Sequence, residues 1–397
     1  MPLTRRAALL GLTSAVSLSG LAGRASLALA AAPTDKRFVV VILRGAMDGL
    51  TVVPPYGDPG LRNLRAVLIP PLPGQPNGLR DLGGFYGLHP ALTNMYAMYQ
   101  ANELLIVHAA AGPYRSRSHF EAQDYLESGA DHRLTSGWLN RAVGALPSDQ
   151  QAPTGLALAV SVTVPLVLRG PAMVGNWAPH GFSTPEPELY ARIAQLNHDD
   201  RLTGPAIADG LRARAFAADV MPGAPDEKDR YAFPALAEAA GKLLGASDGP
   251  RIAAMEINGW DTHVAQMARL DQPLRQLDAG MGALKSALGP AWRQTAVLVM
   301  TEFGRTAHVN GDNGTDHGTA TVAFALGGAV AGGHVRANWP GLGPGKLFEN
   351  RDLAPTIDVR EVAMGLLAGH LGLPSGALAQ VFPGSATDAP MRGLLRA

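Results

Sequence analysis

The sequence predicts an α/β fold, with a mostly parallel central sheet covered by helices on both faces. Four short apolar runs have the length and continuity of strands buried on both sides: residues 38–43 (FVVVIL), 104–109 (LLIVHA), 252–257 (IAAMEI) and 295–300 (TAVLVM). Helical patterns lie between them, most clearly over residues 264–288, where apolar residues recur three and four positions apart. This alternation is typical of an open α/β sheet.

Each predicted strand is followed at once by glycine and by ionisable or hydroxyl side chains. The segments are RGAMDGL after the first run, AGPYRSRSHF after the second, NGWDTH after the third and TEFGR after the fourth. In open α/β sheets, ligands bind outside the carboxyl ends of the strands. We therefore expect these four segments to meet at one edge of the sheet and to form the functional site.

Composition limits the classes of partner. The 397 residues contain 33 Lys+Arg and 33 Asp+Glu, so no net positive charge attracts nucleic acid. The absence of cysteine excludes disulfides, thiolate metal sites and a cysteine nucleophile. Any metal must be held by nitrogen and oxygen ligands. We expect a small anionic substrate or ester as the partner and no nucleic acid, while the oligomeric state is left open.

The domain organisation begins with an export signal. Residues 1–32 contain a short basic region, an apolar stretch and small residues near the end. The pair Arg5 and Arg6 resembles a twin-arginine signal, with an ordinary secretory signal or an uncleaved anchor as alternatives. We expect a periplasmic or secreted protein with no stable membrane span after signal removal. Residues 33–397 are predicted to form one α/β domain, in which 181–250 is a helical insertion that could cap the sheet.

Five side chains are candidate ligands of a divalent metal ion. Asp261 and His263 are two residues apart, so on an extended backbone both can point the same way and offer one oxygen and one nitrogen. His317 lies beside a glycine that lets the backbone approach a ligand. Asp48 and Glu302 follow buried strands and need a cation, either a metal ion or an arginine. The alternatives are a helix N-cap at the Asp261 pair and a structural histidine at His317.

Neighbouring residues could support such a metal. Asp316 is either a further ligand or the carboxylate that orients the adjacent imidazole. Arg44 and Arg305 are the nearest arginines in sequence to the acids at 48 and 302. Their guanidinium groups would also suit a bidentate hold on phosphate, sulfate or carboxylate.

The segment SRSHF supplies a candidate nucleophile and a candidate acid or base. Ser118 would be activated by a metal or a base, and His119 would serve as ligand or as acid/base. Arg117 is a further candidate for substrate binding. The alternative is that Ser118 caps a helix, because Glu121 at the third following position completes a capping-box pattern.

With these residues in place, the chain resembles the DUF1501 family of exported bacterial proteins. The resemblance rests on LRGAMDGLTVVPPYGD, GLHPAL, SRSHFEAQDYLESG, SGWLNRAV, GWDTH, TEFGRTAHVNGDNGTDHGTATVAFALGGAVAGG and RDLAPTIDVREV, in order through nearly the whole chain. It implies a place in the alkaline phosphatase and sulfatase superfamily. That place implies an α/β sheet with helices on both sides and metal ligands at strand ends.

The resemblance also implies roles for individual residues. Asp48 matches the superfamily's first metal-binding aspartate, and Ser118 falls near the position of its nucleophile. Asp261 and His263 resemble an Asp-x-x-x-His metal pair. Glu302 matches a later metal-binding aspartate, and His317 matches the final histidine. Two departures stand out. One residue rather than three separates the metal pair, and Phe303 stands where a paired histidine is expected. One metal, or a different metal with another reaction, fits this ligand set as well as two zinc ions do.

The sequence therefore predicts an exported metal-dependent hydrolase that cleaves a phosphate or sulfate ester or a related anionic group. Zinc, manganese or calcium are the preferred metals, with iron as an alternative. Ser118 or a bound water would attack, while Arg44 or Arg305 would neutralise developing charge. Two other interpretations remain: a non-haem metal oxidoreductase, and a non-catalytic periplasmic binding or assembly protein that keeps the fold.

Overall fold

The structure is a computed structural model that describes residues 34–146, 156–179, 187–197, 199–200, 203–221, 232–385 and 389–397. The predicted export signal lies outside these residues. Within the described ranges, no helix is both long and apolar enough to cross a membrane.

The described residues contain a central sheet of nine strands and a separate antiparallel pair. The strands are β1 (Arg37–Leu43), β2 (Arg80–Asp81), β3 (Gly87–Leu88), β4 (Leu104–Ala111), β5 (Ala157–Val160), β6 (Val174–Trp177), β7 (Ile252–Ile257), β8 (Thr295–Thr301), β9 (Thr321–Leu326), β10 (His334–Arg336) and β11 (Ile357–Asp358). The four strands predicted from sequence are β1, β4, β7 and β8.

The order of the large sheet is β10-β4-β9-β8-β1-β7-β5-β6, and β11 also pairs with β4. Only β9 is antiparallel to its neighbours, β4 and β8; the other pairings are parallel. The prediction of a mostly parallel sheet is therefore confirmed. Because β1, β4, β7 and β8 run in one direction, their carboxyl ends lie at the same edge of the sheet.

Eleven α-helices occur in the described part of the chain. They are α1 (Gly49–Val52), α2 (Pro59–Arg65), α3 (Thr93–Gln100), α4 (His119–Ser128), α5 (Trp138–Gly144), α6 (Pro187–Asn197), α7 (Thr203–Val220), α8 (Phe233–Gly245), α9 (Gln266–Leu288), α10 (Val359–Gly369) and α11 (Ser375–Val381). Three short 3₁₀ segments add Ala66–Leu68, Leu166–Leu168 and Gly289–Gln294.

Apolar side chains cover both faces of the sheet. Alternate residues of β1 divide between two buried clusters, with Val39 and Val41 in one and Val40 and Ile42 in the other. Helices α3, α8 and α9 contribute to the first cluster, and α4, α5, α10 and α11 to the second. The prediction of helices on both faces is thus confirmed.

The predicted helical insertion at 181–250 corresponds in its described parts to α6, α7 and α8. Helix α8 packs against α9 and against β7, and its Phe233, Ala237 and Leu243 are buried in the first cluster. This helix therefore belongs to the layer that covers the sheet. The division into one domain with a cap remains a prediction.

Close backbone contact joins two of the connections at the carboxyl edge. Gly45, after β1, has a φ of +116°, and a Cβ there would lie 2.6 Å from the backbone nitrogen of Asp261. Only glycine tolerates both the left-handed conformation and this approach. The β1–α1 connection can therefore lie directly against the β7–α9 connection.

Candidate metal centre

Four side chains from three connections converge at the carboxyl edge. His119 is the first residue of α4, which follows β4; Asp261 and His263 lie between β7 and α9; His317 lies between β8 and β9. The Nε2 atom of His317 is 2.9 Å from Nε2 of His119 and 3.0 Å from Nε2 of His263. The sequence placed these residues on separate loops, and the fold brings them together.

Asp261 completes the group. Its carboxylate oxygens lie 3.0 Å from Nε2 of His263, 3.4 Å from Nε2 of His317 and 3.5 Å from Nε2 of His119. Tetrahedral zinc with bonds of about 2.0–2.1 Å has ligand atoms about 3.3 Å apart. His119, Asp261 and His317 each offer a ligand atom within 4.8 Å of the other two, so these three side chains can surround one small ion, and His263 lies beside them.

The other ring nitrogen of each histidine has an acceptor that fixes its proton. The Nδ1 atom of His119 is 2.8 Å from Oε1 of Glu302, and Nδ1 of His317 is 3.0 Å from the carbonyl oxygen of Arg117. In His263, Nδ1 is 3.2 Å from Oδ1 of Asp316. Carboxylates and carbonyls only accept, so each Nδ1 donates.

A neutral imidazole that carries its proton on Nδ1 has a lone pair on Nε2. When the rings are neutral, the Nε2 lone pair of His317 therefore faces those of His119 and His263 at 2.9 Å and 3.0 Å, next to a carboxylate, and these lone pairs repel unless a proton or a metal ion lies between them. The local charges point the same way. Arg305 pairs with Asp261, whereas the carboxylates of Glu302 and Asp316 accept hydrogen bonds from His119 and His263 rather than from a guanidinium. The donor set fits one divalent metal ion held by nitrogen and oxygen.

Arg305 holds Asp261 in position. Its guanidinium donates to Oδ1 of Asp261 at 2.7 Å, while its remaining contacts are to the hydroxyl and carbonyl oxygens of Thr315. The side chain of Arg305 is fully buried. We expected this arginine to pair with Glu302 or to contact substrate. Because its donors are directed to Asp261 and Thr315, the structure gives it a positioning role instead.

One side of the centre is apolar and the other is open. Phe303 is buried and packs against the rings of His119 and His317, with centroids 4.9 Å and 5.2 Å apart. By contrast, the side chains of Asp261 and His263 are 43% and 40% exposed. Solvent can therefore reach the ligands beside Asp261 and His263, whereas Phe303 covers the rings of His119 and His317.

The surroundings favour the ionised carboxylates. Burial alone would raise the pKa of Glu302, but hydrogen bonds from His119 and Gln123 hold it below its usual value. Burial likewise opposes ionisation of Asp261, and Arg305 brings its pKa down. The hydrogen bond to Glu302 raises the pKa of His119, whereas burial and the neighbouring His119 lower the pKa of His317. Both acids therefore remain ionised at neutral pH.

The structure corrects the expected role of Asp48. Its two oxygens accept from Arg65 at 2.8 Å and 2.6 Å, and it also accepts from Thr51 and Gln266. The predicted local partner, Arg44, does not contact it. A buried guanidinium thus supplies the cation that we expected from a metal, so Asp48 stabilises the fold beside the centre.

Glu302 also differs from its predicted role as a direct ligand. Its Oε1 atom accepts from His119, from Gln123 at 3.0 Å and from the backbone nitrogen of Gly45 at 2.9 Å. Its Oε2 atom is 2.9 Å from the hydroxyl of Thr301. The carboxylate is therefore used to orient His119.

The two arginines expected to bind substrate are paired within the chain. Arg44 donates to Glu127 at 2.8 Å and also binds Glu256. Arg117 binds the buried Asp352, with its Nε 2.9 Å from Oδ2. Because carboxylates of the protein already neutralise both guanidiniums, the structure favours structural roles for them.

Ser118 occupies the N-cap position of α4, directly before His119. Its side chain makes no capping hydrogen bond, and its hydroxyl contacts the Tyr114 phenol. Glu121 accepts from Tyr114 and Ser116 rather than completing a capping box. The alternative capping role is therefore absent, and nucleophilic attack by Ser118 remains a prediction.

Sequence reasoning missed several residues that shape the centre. Gln123 contacts Glu302, and Asn310 donates to Asp316 and to the carbonyl of His263. Gln123 lies four positions after His119 on one helix, a spacing that places two side chains on the same face, and this signal could have found it. Asn310 has no comparable signal, because its role depends on how its loop folds.

The family model described as "Protein of unknown function (DUF1501)" matches residues 103–382. No curated protein matches the sequence. Ps i-CgsB in complex with k-i-k-neocarrahexaose is a similar solved structure, with a TM-score of 0.42, 10% identity, and coverage of 89% of this chain and 77% of that chain.

Two other solved structures also match most of the chain. For alkaline phosphatase from the Antarctic bacterium TAB5, the TM-score is 0.32 and the identity 11%, over 76% of this chain and 94% of that chain. For BT1596, a 2-O GAG sulfatase, the TM-score is 0.36 and the identity 10%, over 90% of this chain and 76% of that chain.

The segment matched by the family model covers well over half of the 397 residues and contains all four converging ligands. The chain therefore belongs to the DUF1501 family.

Proposed function

We propose that this protein is a metal-dependent hydrolase whose divalent ion is held by His119, Asp261, His263 and His317. The convergence of three Nε2 lone pairs with one carboxylate supports the metal. Such an ion would act as a Lewis acid at a substrate oxygen and would acidify water. Zinc or manganese suits the mixture of nitrogen and oxygen ligands best, whereas calcium prefers oxygen alone.

The residues around the ligands define how the protein contributes to this chemistry. Glu302, Asp316 and the carbonyl of Arg117 keep the Nδ1 protons in place, so the three Nε2 atoms stay available for binding. Arg305 holds Asp261. Ser118, next to His119, and water are the two candidate nucleophiles.

Phosphate and sulfate esters are the proposed substrate class. The superfamily that the sequence resembles implies them, and a metal ion on the open side of the centre would attract an anionic group. A redox role is the second candidate, because histidine and carboxylate ligands with open positions also suit non-haem iron. A coordination sphere closed to water would instead favour a binding or assembly role.

Metal analysis combined with ester hydrolysis tests this proposal. The purified protein should contain about one zinc or manganese ion per chain and cleave an aryl phosphate or aryl sulfate. His263→Ala and His317→Ala should lose both the metal and the activity. His132→Ala is the matched control, because the ring of this exposed histidine contacts Asp131 and none of the four proposed ligands. Retained metal with full turnover in both ligand variants would refute the proposal, and bound iron would favour the redox role.

We further propose export by a twin-arginine-type signal within residues 1–32. Replacing Arg5 and Arg6 by lysine should leave the protein in the cytoplasm, as measured by cell fractionation. Undiminished export of this variant would point to an ordinary secretory signal.

A further inference from the structure

Behind His119, polar side chains form a continuous hydrogen-bonded chain that the proposed reaction does not use directly. Arg44 donates from NH1 to Oε1 of Gln123 at 3.0 Å, and Gln123 donates from Nε2 to Oε1 of Glu302 at 3.0 Å. Glu302 in turn accepts from Nδ1 of His119 at 2.8 Å. Three parts of the chain supply these residues: the β1–α1 connection, helix α4 and the segment that directly follows β8.

Every hydrogen bond in this chain has a fixed direction. A guanidinium only donates, so Arg44 must face the oxygen of the Gln123 amide, and the nitrogen of that amide must then face Glu302. An ionised carboxylate only accepts, so His119 must carry its proton on Nδ1. As a result, the lone pair on Nε2 of His119 points to the other ligands.

The far end of the chain is anchored firmly. Arg44 also binds Glu127 and Glu256, and Glu127 accepts from the backbone nitrogen of Val167 at 2.9 Å. The side chain of Glu127 is only 5% exposed, and that of Glu302 is fully buried. Fixed partners on both sides leave the Gln123 amide one favourable orientation.

We infer that Gln123 is a positioning residue, which Arg44 orients and which sets metal affinity by fixing Glu302 and the proton of His119. Glutamine suits this position because it accepts on one side and donates on the other. Removing a residue that orients a metal ligand typically weakens metal binding by about 10–100-fold. The inference rests on the proposed metal centre.

Zinc affinity, measured by competition with a chromophoric chelator, tests the inference. Gln123→Leu and the near-isosteric Gln123→Glu should each bind zinc about 10-fold more weakly than the wild type, because neither donates to ionised Glu302. Arg44→Lys should weaken zinc binding less, since lysine keeps the positive charge but cannot contact Gln123 and Glu127 through two separate nitrogens. Gln272→Leu, at an exposed position of α9, is the control for a glutamine change on a helix.

A double-mutant cycle tests the route of action. In a Glu302→Gln background, Gln123→Leu should have no further effect on zinc affinity, since its influence passes through Glu302. Additive losses would overturn the inference, as would unchanged zinc affinity in both Gln123 variants.

Nitrogen-15 NMR of the metal-free protein gives a readout that does not need zinc. At a pH where the ring is neutral, His119 should be protonated mainly on Nδ1 in the wild type and should lose this preference in Gln123→Leu. An unchanged tautomer together with a lowered melting temperature would show that Gln123 only packs. If the wild type bound no zinc, the proposed function would be wrong. The tautomer of His119 would still show whether Gln123 positions this ring.

Discussion

Two polar clusters lie at the same edge of the sheet, and they balance their charges in different ways. In the first, Asp48 is buried with Arg65, and Thr51 and Gln266 complete its hydrogen bonds. In the second, Nε2 of His317 lies within 3.0 Å of Nε2 of His119 and Nε2 of His263, beside the carboxylate of Asp261. The first cluster contains its own cation, whereas the second contains ligands for one.

This difference separates structural from functional polar groups. Both clusters hold a carboxylate that follows a buried strand, and the sequence suggested a metal for each. A buried carboxylate needs a positive partner, but an arginine meets that need as well as a metal does. The acid alone therefore does not indicate a metal site; the residues that surround it distinguish a buried ion pair from a candidate metal centre.

Breaking the first cluster should have the largest effect on stability. Arg65→Met would leave Asp48 buried without its cation, which we expect to lower the free energy of unfolding by about 3–5 kcal/mol. Urea denaturation of the metal-free protein, followed by circular dichroism, measures this loss. The double variant Asp48→Leu/Arg65→Met should regain most of it, because no charge then remains buried. A loss below about 1 kcal/mol in Arg65→Met is typical of an exposed ion pair and would contradict a buried pair between Asp48 and Arg65.

Acid should destabilise the protein through a third class of polar group, the histidines that are buried outside both clusters. Burial lowers the pKa of His108 to about 4, from 6.5. As the pH falls below 6.5, the unfolded chain binds a proton that the folded chain does not, so stability is complete above 6.5 and decreases toward pH 4. The loss from His108 should reach about 3 kcal/mol.

Urea midpoints of the metal-free protein at pH 7, 5.5 and 4.5 measure this loss. His370, with a pKa also lowered by burial to about 4, should add a similar contribution. His108→Gln should show a shallower decrease than the wild type. An identical slope in that variant would exclude His108 as a source of acid sensitivity.

Zinc should stabilise the protein through the second cluster alone. At free zinc about 100-fold above its Kd, the free energy of unfolding should rise by about 2.7 kcal/mol. Thermal denaturation with and without zinc detects this shift. Arg65→Met should be less stable than the wild type without zinc but should gain the same stabilisation from zinc, whereas His317→Ala should not be stabilised by zinc. Loss of the increment in Arg65→Met would show that the two clusters are not independent.

The smallest expected effect concerns a residue that orients a ligand. Asp316→Ala removes the acceptor of the Nδ1 proton of His263 and should weaken zinc binding by about 10-fold. Asp316→Asn keeps an acceptor oxygen and should be milder. Asp312→Ala, an exposed acid on the same loop, should bind zinc like the wild type. Equal affinities in Asp316→Ala and Asp312→Ala would remove Asp316 from the centre. Competition with a chelator resolves these differences.

The sheet and the place of the site could be predicted from sequence. Strands buried on both faces leave continuous apolar runs, such as residues 252–257, which the structure shows as β7 with the same bounds. Parallel strands put their carboxyl ends at one edge, so the convergence of the following loops could be expected from the sequence.

The partners of individual charges could not be predicted in this way. Arg65 lies 17 residues beyond Asp48, and Arg305 lies 44 residues from Asp261. Proximity in sequence instead suggested Arg44 for Asp48 and Arg305 for Glu302. Which arginine reaches which acid depends on packing of helices and loops, and local sequence patterns do not encode that packing.

The reversed direction of β9 has a consequence for the whole centre. Since β8 and β9 are antiparallel neighbours, the segment that joins them, residues 302–320, starts and finishes at the carboxyl edge. It supplies one ligand, His317, and it also supplies the contact that steadies each of the other three: Glu302 for His119, Arg305 for Asp261 and Asp316 for His263. A change within residues 302–320 can therefore alter the position of all four proposed ligands at once. An attempt to transplant or redesign the centre should treat this segment as one piece.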